Sequence, residues 1–320
     1  MPIDNTLLTA REAADRRLLV DHITNQPAAL DDKLRDRGAV VFRGFEFSPA
    51  DHAEQLFGAL NAEMLTYTER SSPRTEVADR VYTATDYPAR HPIPFHNENS
   101  YQMSWPRWLL FYCENPAETG GETLISDVRT VAESLSADTV EDFAGRGWSV
   151  QRNFGGPIGL DWQTVFQTDD RAQVEQYCAS QSIECEWLAD ARLRTRASRS
   201  AFARHPESGD RVWFNHAAFF NVSSLDESTS AALLDMFEED ELPSQTYYGD
   251  GERIPDGVLT EIRTAYDEAS YSHVWTPGDV MIVDNMRMAH ARRPFTGDRR
   301  IMVAMAGTVH REDVEWVSAS

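Results

Sequence analysis

Lysine is almost missing from this chain of 320 residues: Lys33 is its single example, and arginine supplies every other side-chain cation. Cations as a whole are outnumbered, 30 against 52 aspartates and glutamates, for a formal net charge of −22. A phosphate backbone demands a basic footprint, so this balance excludes a general nucleic-acid binder. Anionic lipid would repel such a surface as well. Cysteine is equally scarce: Cys113, Cys178 and Cys185 are too few and too scattered for a disulfide framework or a zinc cluster. The opening Met1-Pro-Ile-Asp-Asn5 has neither the basic region nor the apolar stretch of a signal peptide. No apolar run approaches the roughly 20 residues that span a bilayer. These absences lead us to expect a soluble, cytoplasmic, reduced protein.

What is present suits a large core. Hydrophobic residues make up 41% and aromatics 10%, too much for a disordered chain. No internal repeat, low-complexity tract or linker interrupts it, so one domain over 1–320 is expected, with a helical insertion at about 127–190. Leu30 and Leu34 stand four apart before Gly38, which reads as a helix and its stop. Ala39 to Phe45 reads as a buried strand, and Ser48-Pro49 as the start of a helix to about Asn61. Short helices are expected after Asp127 and Ser136, and another after Thr168. Arg192, Arg194 and Arg196 alternate and would share one strand face. His205 to Asp210 reads as a hairpin turn returning through Arg211–Asn215. Helices are expected over Thr229–Glu238 and Val258–Tyr266, then strands at Val280–Asp284 and Ile301–Ala306. Periodicity alone therefore defines a mixed β/α protein.

The strongest chemical signal is Phe95-His96-Asn97-Glu98-Asn99-Ser100-Tyr101. On an extended strand, residues i and i+2 project from one face, so His96 and Glu98 could offer an imidazole and a carboxylate to one metal ion. Two histidines and one carboxylate with open positions is the donor set of non-haem Fe(II) oxygenases. The sequence holds four His-x-Glu copies, and three have a plainer reading. His52-x-Glu54 lies in an expected helix, where residues two apart point away from each other. His205-x-Glu207 straddles a proline in a turn, and His310-x-Glu312 has no later histidine to complete a triad. For His96 and Glu98 the distant partner is His290, in Asp284-Asn-Met-Arg-Met-Ala-His290. Arg292, Arg293, Arg299 and Arg300 follow it. An arginine inside a barrel needs an anion, because an unpaired buried charge is costly, and its planar fork suits a carboxylate. Arg299 and Arg300 are adjacent, so only one can point inward. Arg299 and one of Arg292 and Arg293 read as solvated.

Together, His96-x-Glu98, Gly120-Gly-Glu-Thr123 and His290 followed by Arg299-Arg-Ile-Met302 resemble the Fe(II)/2-oxoglutarate-dependent dioxygenases of the taurine dioxygenase and clavaminate synthase-like superfamily. The resemblance runs from about Gly38 to about Gly307. Segments such as Val212-Trp-Phe-Asn215 and Tyr247-Tyr-Gly-Asp-Gly251 look closest to the syringomycin-biosynthesis hydroxylase branch, which works in peptide natural-product pathways. The resemblance implies a distorted double-stranded β-helix, or jelly roll, with flanking helices. It implies that His96, Glu98 and His290 ligate Fe(II), and that Thr123 hydrogen-bonds the 2-oxoglutarate carboxylate. Arg300, second of the Arg-Arg-Ile pair, would meet the distal carboxylate of that cosubstrate, and O2 would be the oxidant. Hydroxylation of an unactivated C–H in an amino-acid-derived substrate, free or tethered to a peptidyl carrier protein, is the implied reaction. Desaturation or epoxidation would use the same residues, and a non-catalytic metal-binding jelly roll is the reading from another class. Halogenating relatives lack the carboxylate, so Glu98 argues against halogenation. The taurine enzyme has a further arginine where this chain has Ala304, which argues against a sulfonate substrate.

Overall fold

A computed structural model describes residues 8–9, 18–66, 75–84 and 87–317. The contacts divide the chain into two compact units, one formed by Met1–Asn99, Ser104–Val128 and Ala269–Asp313, the other by Ser100–Met103, Arg129–Glu268 and Val314–Ser320.

The first unit is built on a seven-stranded sheet. Its order is Leu8–Thr9, Ala39–Arg43, Val280–Asp284, Ser104–Asn115, Arg300–His310, Val81–Thr83 and Glu76–Ala78. Side chains alternate across a strand, so the same strands feed two cores. Val40, Phe42, Leu110, Val280, Ile282, Ala304 and Ala306 face one way, against Leu19, Ile23, Leu34, Leu56 and Phe57 of three helices. Burying each such leucine or phenylalanine fully contributes about 1.5–3 kcal/mol. The helices span Leu19–Thr24, Pro27–Arg37 and Pro49–Gly58. The second of them ends where expected: Gly38 closes it at φ +73°, and a Cβ there would meet Met288 Cγ at 2.6 Å.

The opposite face presents Leu109, Phe111, Met281, Val283, Ile301, Val303 and Met305, packed with Ile125, Trp275 and Met288. Ile125 and Met288 come from a four-stranded sheet in the order Ser270–His273, Thr123–Asp127, Met288–Arg292, Ile93–His96. The candidate site residues all belong to this first unit.

The stretch expected as a helical insertion at about 127–190 lies almost wholly in the second unit. Helices are present at Val128–Ser134, Ala137–Arg146 and Arg171–Ser180, but the unit continues to Glu268 and is organised by a sheet. That sheet runs Glu184–Trp187, Leu193–Arg199, Trp148–Phe154, Ser244–Tyr248, all neighbours antiparallel. Leu193, Thr195, Ala197 and Arg199 are buried on one face, which puts Arg194 and Arg196 on the other. Among the described residues no helix is long and apolar enough to cross a membrane.

Candidate metal centre

Ile93–His96 pairs with Met288–Arg292 so that His96 and His290 lie directly opposite each other. Their rings approach to 4.2 Å between centroids, and Phe111 meets the His290 ring edge-on at 5.3 Å. The strand ends at His96, so Glu98 is not carried on regular extended backbone as its spacing suggested. It sits in the turn that follows, where Asn99 takes the left-handed φ of +57°. Even so, one donor atom each from His96, Glu98 and His290 lie within 4.8 Å of one another, and His290 Nε2 is 4.0 Å from Glu98 Oε2.

Two arrangements hold these donors in place. His96 Nδ1 lies 2.9 Å from the carbonyl of Pro94. A carbonyl only accepts, so Nδ1 carries the hydrogen and Nε2 keeps its lone pair for a metal. Asn285, fully buried, grips the backbone on both sides of Glu98: its Oδ1 accepts from the Glu98 N–H at 2.7 Å and its Nδ2 donates to the Glu98 carbonyl at 2.9 Å. Nδ2 donates also to the Pro106 carbonyl at 2.9 Å, while Asn97 Nδ2 donates to the Asn285 carbonyl at 2.6 Å. One amide side chain thereby joins the segment carrying Glu98 to the segment carrying His290.

Thr123 stands in the strand beside His290, opposite Arg292. It is buried, and its Oγ1 accepts a hydrogen bond from Trp275 Nε1 at 2.9 Å. A hydroxyl has one hydrogen to give, and among the described residues no acceptor takes that of Thr123.

Arg300 points away from this region and forms a half-exposed ion pair with Glu114 at 2.7 Å. Strand alternation explains it: Ile301, Val303 and Met305 turn toward the core shared with Ile125, so Arg300 falls on the other face with Met302 and Ala304. A bulge reinforces this, because Arg300 pairs with Asn115 and Ile301 with Cys113, leaving Glu114 between them. Arg299, expected in solvent, is the inward residue. Its Nε donates to the Gly121 carbonyl at 2.9 Å, two residues before Thr123, and its guanidinium lies 5.6 Å from the Phe295 ring. Burial, reinforced by the nearby charge of Arg292, pulls the Arg299 guanidinium down to about 10. Arg292 is buried and donates to the carbonyls of Tyr87, Pro88 and His91. Among the described residues neither arginine has a carboxylate partner. Two neighbouring arginines without an acid, Arg292 buried and Arg299 half-buried, suit an anionic partner. The glycine pair makes room for it: Gly121 has φ +73°, and a Cβ there would lie 2.9 Å from Arg299 Cδ.

Arg194, Arg196, Arg199 and Arg204 of the second unit are engaged internally. Arg194 binds Asn153 and Asp240, Arg196 binds Gln151, and Arg204 pairs with Glu315. Arg199 donates to the carbonyls of Tyr101, Gln181 and Ser182.

Two histidines and a carboxylate with converging donor atoms are the donor set of mononuclear non-haem iron oxygenases. Comparison with known proteins assigns the family. Residues 8–306 match the model described as "Taurine catabolism dioxygenase TauD, TfdA family". The chain is 41% identical over 281 residues to the dapdiamide synthesis protein DdaC of Enterobacter agglomerans, covering 88% of this chain and 85% of that one. It is 30% identical over 299 residues to a clavaminate synthase-like protein of Arabidopsis thaliana, covering 90% and 87%. An asparagine oxygenase solved with Fe(II), 2S,3S-3-hydroxyasparagine and succinate shares the fold, with a TM-score of 0.56 at 15% identity over 89% of this chain and 79% of that one. The chain belongs to the TauD/TfdA dioxygenase family. It is an Fe(II)- and 2-oxoglutarate-dependent oxygenase.

Proposed function

We propose that the protein hydroxylates an unactivated C–H bond of an amino-acid-derived substrate in natural-product biosynthesis. His96 Nε2, Glu98 and His290 would hold the Fe(II), within a double-stranded β-helix formed by the two sheets of the first unit. Thr123 and Arg299 would hold the distal carboxylate of 2-oxoglutarate. The observation that carries this reading is the juxtaposition of three converging donors with an arginine that has no acid partner and a threonine with a hydrogen to give. When bound, iron and 2-oxoglutarate supply dioxygen activation coupled to oxidative decarboxylation. The chain's own groups do the remainder. Pro94 and Asn285 hold two of the donors in register, Thr123 and Arg299 orient the cosubstrate, and Phe111, Ile125 and Val303 keep water from its surroundings.

The substrate class is supported by the relatives, one from dapdiamide synthesis and one fold neighbour that oxidises asparagine. A free substrate fits better than one tethered to a peptidyl carrier protein, because Arg194, Arg196 and Arg204, cations that could meet an acidic carrier, are engaged within their own unit. Three free thiols suit a reducing, cytoplasmic setting. The test is a screen of free and carrier-loaded amino acids with Fe(II), 2-oxoglutarate and air. The correct substrate should release one succinate for each product one oxygen heavier. Succinate release that no amino acid stimulates, in either form, would contradict the proposal.

A further inference from the structure

We propose that Trp275 is a positioning residue that aims the Thr123 hydroxyl hydrogen at the 2-oxoglutarate carboxylate. This rests on the reading of Thr123 as a cosubstrate ligand. A threonine hydroxyl offers one hydrogen and two lone pairs, and it rotates toward whichever partner is available. Indole N–H is a donor only, and Trp275 Nε1 occupies a Thr123 lone pair at 2.9 Å. With that lone pair taken, the hydrogen must leave in another direction, and no acceptor among the described residues receives it. The hydroxyl is thus committed as a donor before any ligand arrives.

Trp275 is itself held. It is buried, and His273 meets its ring edge-on at 4.6 Å and 89°. His273 Nε2 lies 3.2 Å from Asp279 Oδ2, and the fully buried Asp279 accepts two hydrogen bonds from Arg43 at 2.7 and 2.8 Å. The Thr276 N–H also donates to Asp279 at 2.9 Å, which ties the turn after Trp275 to the same carboxylate. His273 pairs across the sheet with Thr123, so one two-strand contact delivers both the indole and the hydroxyl it directs.

Trp275→Phe keeps the ring and removes the donor. Anaerobic titration of the Fe(II)-loaded protein with 2-oxoglutarate, read from the visible charge-transfer absorbance, should show affinity for 2-oxoglutarate falling about fivefold. Fe(II) affinity should be unchanged. Combined with Thr123→Val, which has no hydroxyl to aim, Trp275→Phe should cost nothing further; combined with Thr123→Ser it should cost the same fivefold. An undiminished effect in the Thr123→Val background would overturn the inference by showing that the indole acts through packing. No effect of Trp275→Phe alone would overturn it too. Wild-type protein that binds Fe(II) but gives no band with 2-oxoglutarate would instead sink the reading of the whole cosubstrate site.

Discussion

Replacing Arg299 with glutamine, and separately Arg300, discriminates between adjacent residues that the sequence motif cannot tell apart. Arg299 lies beside the Thr123 strand, half-buried near Arg292 and without an acid partner. A dicarboxylate that enters would gain charge-assisted, fork-shaped hydrogen bonds with little competing solvent. Each hydrogen bond to a charged group contributes about 1.5–3 kcal/mol, so losing the guanidinium should cost about 3 kcal/mol, or about 100-fold in affinity. Arg299→Lys, which keeps a point charge and loses the fork, should fall in between, at about tenfold. Arg300 has only its pair with Glu114, in which the two side chains are 47% and 40% exposed. Such a pair is screened by solvent and contributes about 0–1 kcal/mol to stability. Arg300→Gln should therefore leave 2-oxoglutarate binding untouched. The assay is succinate formation against 2-oxoglutarate concentration at saturating Fe(II), with KM and kcat read separately. The reasoning is refuted if Arg300→Gln raises KM for 2-oxoglutarate and Arg299→Gln does not.

Further outcomes follow from the same contacts. Asn285→Ala removes the amide that grips the Glu98 backbone and should weaken Fe(II) binding at least tenfold by equilibrium dialysis, as losses around metal ligands generally do. Gly121→Ala puts a methyl group against Arg299 at a positive φ and should raise KM for 2-oxoglutarate several-fold with Fe(II) affinity intact. Burial opposes ionisation of Asp279, but hydrogen bonds from Arg43, His273 and the Thr276 N–H outweigh it and hold the carboxyl below its ordinary 3.8. Its folded-state pKa is thus depressed, so its contribution is present above about pH 4 and is lost as pH falls through the lower folded value. Asp279→Asn should destabilise the protein by about 2–4 kcal/mol in neutral denaturant melts, with the gap to wild type narrowing below about pH 4.

Local chemistry made much of this molecule legible in advance. Gly38 ends a helix and Pro49 begins one because left-handed backbone and a fixed φ are properties of single residues. The jump from His96 and Glu98 to His290 was legible because the other His-x-Glu copies sat in settings that disfavour chelation. What escaped depends on pairing across long stretches of chain. Asn285 reads as an ordinary loop residue until Glu98 is folded against it, 187 positions away. Which of Arg299 and Arg300 turns inward depends on a bulge opposite Glu114, and bulges leave no composition signal. The Leu193–Arg199 strand was legible in the alternation of Arg192, Arg194 and Arg196, whereas Trp148–Phe154 was not, since its alternation is interrupted by buried polar residues such as Ser149 and Gln151.

The central claim is that His96, Glu98 and His290 hold one Fe(II) to which 2-oxoglutarate then binds. Adding Fe(II) and then 2-oxoglutarate under nitrogen to metal-free protein tests it in one cuvette. A weak visible charge-transfer band should grow to one equivalent in the wild type and be missing from His96→Ala at the same metal concentration. A band of equal strength in both proteins, or none in the wild type, would contradict the account.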